Sequence, residues 1–387
     1  MILEPQRESF DGMDGGICYL NCAYMAPQLR ASVAAGEQAL SRRSRPWEIS
    51  ASDFFEEPEE SRRLFARLVG GDPDGVAIVP SASYGIAVAA RNVRTGPGRK
   101  MIVLEEEFPS NYYAWAELAA STGAQLETVR RPADEDWTSE VLKRLDERVD
   151  VVALPNCHWT DGSLVDLERV GEEVRRAGAA LVVDATQSAG AHPLDVRRVR
   201  PDFLVAAAYK WLLGPYGVAF LWAAEERREG SPIEHNWINR RGSEDFSGLA
   251  GYAAGFQPGA RRYDAGERSN FILLPMANAA LRQLLAWGVK NISETLGTLT
   301  DLAEEGALRL GLRPVPRGRR VRHMIGLRLP SGGAAEVAGR LARQGVFVSA
   351  RGTCLRVSPH LYNTREDVLR LLDALSRVLR QQSATRR

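Results

Sequence analysis

Seven short apolar runs punctuate the stretch from residue 76 to residue 221: Val76–Val79, Met101–Leu104, Gln125–Val129, Val151–Leu154, Ala180–Val183, Phe203–Ala206 and Gly217–Leu221. Helical patterns separate the earlier runs, for example at Ser83–Val93, Ser110–Ala120 and Leu167–Arg176. Alternation of this kind predicts an α/β chain with a mostly parallel sheet, buried on both faces and flanked by helices. Open sheets of this class bind ligands outside the carboxyl ends of their strands. Chemistry is therefore expected in the residues that follow each apolar run.

The texture changes near residue 260. Helices are expected at Pro275–Trp287, Ile292–Leu310, Ala334–Arg343 and Arg365–Leu379, with short strands at Ile325–Leu329, Val346–Val348 and Leu355–Val357. A chain of 387 residues has room for about two domains. The expected division is a segment 1–45 lying across both domains, a large domain 46–260 and a smaller α+β domain 261–387.

One segment could pass for a membrane span. Phe203 to Ala224 carries a single charge and is long enough to cross a bilayer. Gly214-Pro215-Tyr216-Gly217 interrupts it, however, and Lys210 lies inside it. Two short buried strands around a turn explain it better. The 50 basic and 49 acidic residues nearly cancel, which argues against nucleic acid or a membrane surface as partner. The cluster Arg317, Arg319, Arg320 and Arg322 is expected to be a solvated loop. Cys18, Cys22, Cys157 and Cys354 form no CxxC, and the five histidines add no zinc spacing, so no metal is expected. The first residues lack a basic-then-apolar leader pattern, and a cytoplasmic protein is expected.

Lysine is scarce. It occurs only at 100, 143, 210 and 290, and arginine supplies the other 46 basic charges. Lys100, Lys143 and Lys290 are expected to be exposed, whereas Lys210 sits in an apolar run. A buried ammonium is costly unless paired or neutralised. Asp184 closes the run Ala180–Val183, and Lys210 follows the run Phe203–Ala206, 26 residues later. Two strand ends thus aim a carboxylate and a lysine at one crevice. A structural ion pair is one reading. The other is a Schiff-base lysine on pyridoxal phosphate, with the carboxylate holding a proton on the pyridine nitrogen.

With Gln187 behind Asp184 and the string Lys210-Trp211-Leu212-Leu213-Gly214-Pro215-Tyr216-Gly217, the block resembles the class V aminotransferases, a branch of the fold-type I pyridoxal-phosphate enzymes. The resemblance runs from about Tyr19 to the final helix. It implies pyridoxal 5'-phosphate held on Lys210, with Asp184 at the ring nitrogen and Gln187 at the phenolic oxygen. Ala82 and Ser83, where a strand gives way to a helix, match the phosphate loop, and a helix N-terminus suits an anion. Phe108, in Glu107-Phe108-Pro109, matches the residue that stacks on the ring. Arg356, in Leu355-Arg356-Val357-Ser358-Pro359-His360, matches the residue that binds the substrate's α-carboxylate. His158 is a candidate cofactor contact. Asn21 and Tyr24 resemble a strip that closes over substrate.

The string Gly266-Glu267-Arg268-Ser269-Asn270 resembles the segment that reaches the other subunit's cofactor, so a homodimer is implied. Asn270 is then a candidate substrate contact and Trp237 a candidate at the phosphate. Glu267, Ala207 and Tyr209 depart from the commoner family residues. Relatives include cysteine desulfurases, kynureninases and isopenicillin-N-epimerase-like proteins. Desulfurases carry a reactive cysteine on a long loop before the carboxylate-binding arginine, and Val346 to Arg356 leaves no room for one. The implied activity is transamination of a small-molecule amino acid. The alternatives are a β-eliminating lyase or kynureninase-like hydrolase, then an epimerase, then a sensor that binds cofactor without catalysis.

Overall fold

The computed structural model describes residues 1–13, 16–329 and 332–385. Its centre is a seven-stranded sheet in the order Val76–Val79, Ala219–Ala223, Phe203–Ala207, Ala180–Asp184, Val149–Pro155, Lys100–Leu104, Gln125–Val129. The last five strands in that order run parallel to one another. Ala219–Ala223 runs antiparallel to both neighbours. The carboxyl ends of all the other strands therefore share one edge with the amino end of Ala219–Ala223. The apolar run Phe203 to Ala224 is indeed two buried strands joined by the lysine-bearing loop.

Both sheet faces are covered. Along Lys100–Leu104, Ile102 and Leu104 enter one core cluster while Met101 and Val103 enter the other. Strands buried on two faces read as continuous apolar runs rather than alternating ones, which is why Val76–Val79 and Ala180–Val183 are legible in the sequence. The helix Ala82–Arg91 lies tight on the sheet. A Cβ on Gly85 would come within 2.8 Å of Val205, so only glycine permits that approach.

The C-terminal part holds a four-stranded antiparallel sheet in the order Ser349–Arg351, Cys354–Val357, Ile325–Arg328, Arg313–Pro314. Cys18–Tyr19 pairs in parallel with Val346–Phe347, which ties the N-terminal strip to this part. Helices Arg30–Arg43 and Asp53–Val69, which apolar periodicity did not disclose, pack against Leu273–Trp287. Among the described residues no helix is long and apolar enough to cross a membrane.

Two expectations need correction. Lys100 is 6% exposed rather than solvated. It is neutralised by Glu127 at 2.9 Å and Asp146 at 3.2 Å. Arg320 is buried as well, paired with Asp301 and Glu304, so its cluster is only partly a solvated loop.

Candidate active site

A cavity of about 180 Å³ opens at the shared strand edge. Every strand except the edge strand Gln125–Val129 contributes through residues at or near its end. Val79 leads to Ser81, Ala82 and Ser83; Leu104 leads to Glu107 and Phe108; Ala207 leads to Lys210. Asp184, Gln187, Cys157 and Trp159 complete the wall that concerns the chemistry.

Lys210 is 5% exposed, and its Nζ has no hydrogen bond or ion pair among the described residues. It lies 5.2 Å from the centroid of Phe108 and 5.3 Å from that of Tyr209. Burial and then the nearby Arg356 push its pKa down to about 8, against the pull of Asp184. Asp184 is also buried and makes no ion pair among the described residues; its Oδ1 accepts from the Thr186 amide at 2.9 Å. The structural ion pair between the two is therefore absent. A carboxylate and an amine face one cavity, each without a charged partner.

Ser81 caps the helix Ala82–Arg91, its Oγ accepting from the Tyr84 amide at 3.2 Å and sharing a hydrogen bond with Ser83 Oγ at 2.9 Å. Two hydroxyls and a helix N-terminus form an anion cradle. Ala207 occupies the place of a family serine; its amide donates to Thr186 Oγ1 at 3.2 Å, leaving the cradle to Ser81 and Ser83. Gln187 Oε1 accepts from Trp211 Nε1 at 2.9 Å and its Nε2 donates to the Ala23 carbonyl at 3.1 Å. One amide hydrogen of Gln187 remains for a ligand.

Arg356 stands behind the cavity wall and is 1% exposed. Its Nη1 donates to the Trp159 carbonyl at 2.6 Å, while Nε and Nη2 are buried without a partner. Burial and the neighbouring Arg351 press its pKa down to about 9. A guanidinium held in this state is a ready receptor for a carboxylate.

Several expected residues lie elsewhere. His158 does not line the cavity, although Cys157 and Trp159 on either side of it do. Its ring stacks on Trp137 at 5.3 Å, shares a 2.7 Å hydrogen bond with Thr160 Oγ1 and donates from Nε2 to the Glu105 carbonyl at 3.0 Å. The reason is extended-chain alternation, which turns successive side chains to opposite sides. Asn21 is buried with its Oδ1 taken by Ser349 Oγ at 2.6 Å, and Tyr24 is exposed. Asn270 caps the helix Leu273–Trp287, accepting from the Ile272 and Leu273 amides at 3.1 and 2.9 Å. Trp237 packs on Phe54 and Phe246. None of these four lines the cavity of its own chain. The strip that carries Asn270 is firmly held, because Asp264 is paired with both Arg62 and Arg268 and accepts from the Ile78 amide at 2.7 Å.

Glu107 was not anticipated from the sequence. It is 6% exposed, its Oε1 accepts from the Phe108 amide at 2.7 Å, and its Oε2 is buried with no partner. Burial, with Asp184 adding to it, raises its pKa to about 8. Three glutamates in a row, Glu105 to Glu107, look like an exposed loop, and no local pattern separates the last from the first two.

Comparison with known proteins identifies a family. The family model described as aminotransferase class-V matches residues 41–371. The chain belongs to that family. It is 31% identical over 84% of its length to an uncharacterized aminotransferase, YcbU, of Bacillus subtilis, and covers 84% of that protein. It is 26% identical over 82% of its length to isopenicillin N epimerase of Streptomyces clavuligerus, covering 83% of it. It is 28% identical over 66% of its length to kynureninase of Burkholderia mallei, covering 65% of it. Among solved structures, a cysteine desulfurase from Thermococcus onnurineus superposes with a TM-score of 0.84 at 19% identity, over 98% of this chain and 100% of the other. The cystine C-S lyase C-DES superposes at 0.85 with 18% identity, over 94% of this chain and 98% of the other.

Pyridoxal 5'-phosphate, the cofactor of this family, fits the cavity. The partnerless Lys210 amine suits its aldehyde, Asp184 its pyridine nitrogen, Phe108 its ring face, and the Ser81–Ser83 cradle its phosphate.

Proposed function

We propose that this class V enzyme transaminates an α-amino acid. The observation that carries the reading is the arrangement of Lys210 and Arg356: a buried amine with a lowered pKa, free of any ion pair among the described residues, beside a buried guanidinium with two empty donors. When bound, pyridoxal phosphate supplies an aldehyde for Lys210 and an electron sink for the substrate's Cα. Arg356 anchors the α-carboxylate and so turns Cα toward Lys210. Lys210 would take the proton from Cα and deliver it to the carbon that was the cofactor's aldehyde, as a general base tuned toward operating pH. Asp184 would keep a proton on the pyridine nitrogen, and burial, which raises the pKa of Glu107 to about 8, limits the competing charge beside it. Phe108 and Trp159 shield the site from water; their rings meet edge to face at 5.4 Å.

Desulfuration has no support. Cys354 is 4% exposed, lies outside the cavity wall, and burial together with Asp161 raises its pKa to about 12, so its thiolate is suppressed. A lyase or kynureninase-like hydrolase is the second reading. Tyr209 favours it: the phenol lines the cavity and burial raises its pKa, so it stays protonated and available to a leaving group. Asn270 and Trp237, outside their own chain's cavity, would serve that of a second copy in a homodimer. Four buried, unpaired cysteines suit a reducing compartment such as the cytoplasm.

A single-turnover experiment separates the readings. Amino acids are added one at a time to the cofactor-loaded protein without a keto-acid acceptor. Transamination predicts loss of the cofactor's visible band and one equivalent of keto acid per site. A band that recovers while product accumulates over many turnovers would exclude it and point to the lyase or hydrolase.

A further inference from the structure

A second arginine stands beside the first without an acid to match it. In the small sheet, Ser349–Arg351 pairs antiparallel with Cys354–Val357, so that Arg356 faces Ser349 and Arg351 faces Cys354. Directly paired residues and those two apart along a strand share a face, so Arg351 and Arg356 project from the same side as diagonal neighbours, roughly 7–8 Å apart. Trp159 brackets both. Its carbonyl accepts from Arg356, and its ring centroid lies 5.3 Å from the Arg351 guanidinium carbon. The same indole touches Phe108, and Phe108 touches Lys210, so the three cations flank one aromatic step.

Arg351 is half-buried. Its Nη1 donates to the adjacent Ala350 carbonyl at 2.7 Å, and its Nε is buried with no partner. Among the described residues no carboxylate pairs with Arg351 or Arg356. Acids are present nearby but are committed elsewhere: Asp161 pairs with Arg131 at 2.7 Å and Arg328 at 2.8 Å, and Glu135 pairs with the same two arginines. Arg351 also depresses the pKa of both Arg356 and Lys210. Like charges crowded in this way are stabilised by anions brought from outside. An α-carboxylate on Arg356 satisfies one guanidinium and leaves the other.

We propose that Arg351 binds a second acidic group, on the substrate's side chain, and that the enzyme therefore selects α-amino acids with an acidic side chain. This rests on Arg356 as the anchor of the α-carboxylate. The indole against Arg351 excludes water from one face of the guanidinium, which strengthens its hold on a carboxylate while the planar donors fix direction.

Calorimetric titration of the cofactor-loaded protein with butyrate, succinate and glutarate tests it. The better of the two dicarboxylates should bind at least about tenfold more tightly than butyrate. Arg351→Gln should bring that ratio to within about threefold, with the loss for butyrate smaller than the loss for the dicarboxylate, while Arg351→Lys, which keeps the charge, should retain part of the preference. Arg356→Gln should weaken every ligand. If the wild type shows no dicarboxylate preference, or Arg351→Gln keeps it, the second subsite is wrong even though Arg356 stands. If Arg356→Gln leaves butyrate binding untouched, or no carboxylate binds the wild type, the anchor reading fails and the subsite fails with it.

Discussion

A buried ammonium can be tolerated in two ways: it finds carboxylates, or it gives up its proton easily. Lys100 takes the first course, held by Glu127 and Asp146. Lys210 takes the second, with a pKa pushed down to about 8 by burial and then by Arg356. The consequence is measurable. Cofactor-free protein mixed with pyridoxal phosphate should acquire its covalent attachment at a rate that rises with pH through a midpoint near 8, since only the neutral amine attacks. Arg356→Gln removes a positive neighbour, so it should move that midpoint upward. A midpoint that stays put or falls would show that Arg356 is not a cause. The apolar surroundings of Lys210 in the sequence match its burial in the fold. The sequence misplaced Lys100 on the surface, because the acids that neutralise Lys100 lie 27 and 46 positions away.

At the scale of elements, the loop that carries Lys210 rests on a buried layer of imidazoles. The ring of Trp211 meets His323 at 4.3 Å and His360 at 6.0 Å, and His323 lies 6.3 Å from His192. His323 Nε2 donates to the Gln187 carbonyl at 2.7 Å, so one residue steadies both loops of the cofactor site. Gly190 lets them meet: its φ is +97°, and a Cβ there would sit 2.2 Å from the Trp211 carbonyl. Burial lowers the pKa of His192 to about 4 and of His323 and His360 to about 3, with His192 and His360 adding to the shift at His323. The folded chain therefore keeps these rings neutral, while the unfolded chain protonates them below about 6.5. Stability is full above that pH and is lost as pH falls from about 6.5 toward 4, by roughly 1.4 kcal/mol per pH unit for each ring. Glu107, whose raised pKa makes the protonated form the folded one, offsets one of the three over the same range. Denaturant unfolding at pH 7.5 and 5.0 should show the net loss, reduced in His323→Asn. Equal stability at the two values would count against the buried layer. Nothing in the local pattern joins positions 192, 323 and 360, which is why the sequence showed only scattered histidines.

For the whole molecule, the proposed homodimer would account for features that one chain leaves open. Asn270 and Trp237 lie outside their own cavity, and large aromatic side chains such as Trp47, Tyr216 and Tyr252 are exposed. Sedimentation over a concentration series should give a dimer wherever activity is present; an active monomer would refute the shared site. The sequence by itself determined the seven strands of the large sheet, three of the helices between them, and a lysine and a carboxylate at neighbouring strand ends. These follow from short-range periodicity and from residue types that water or a core will not accept at random. Tertiary structure alone decided which charges are neutralised and which are left for a ligand. It turned His158 away from the cavity, brought Glu107 into it, and set Arg351 beside Arg356. Burial and pairing depend on contacts between distant parts of the chain, such as Arg62 with Asp264, and those contacts exist only once the sheet has closed its two faces.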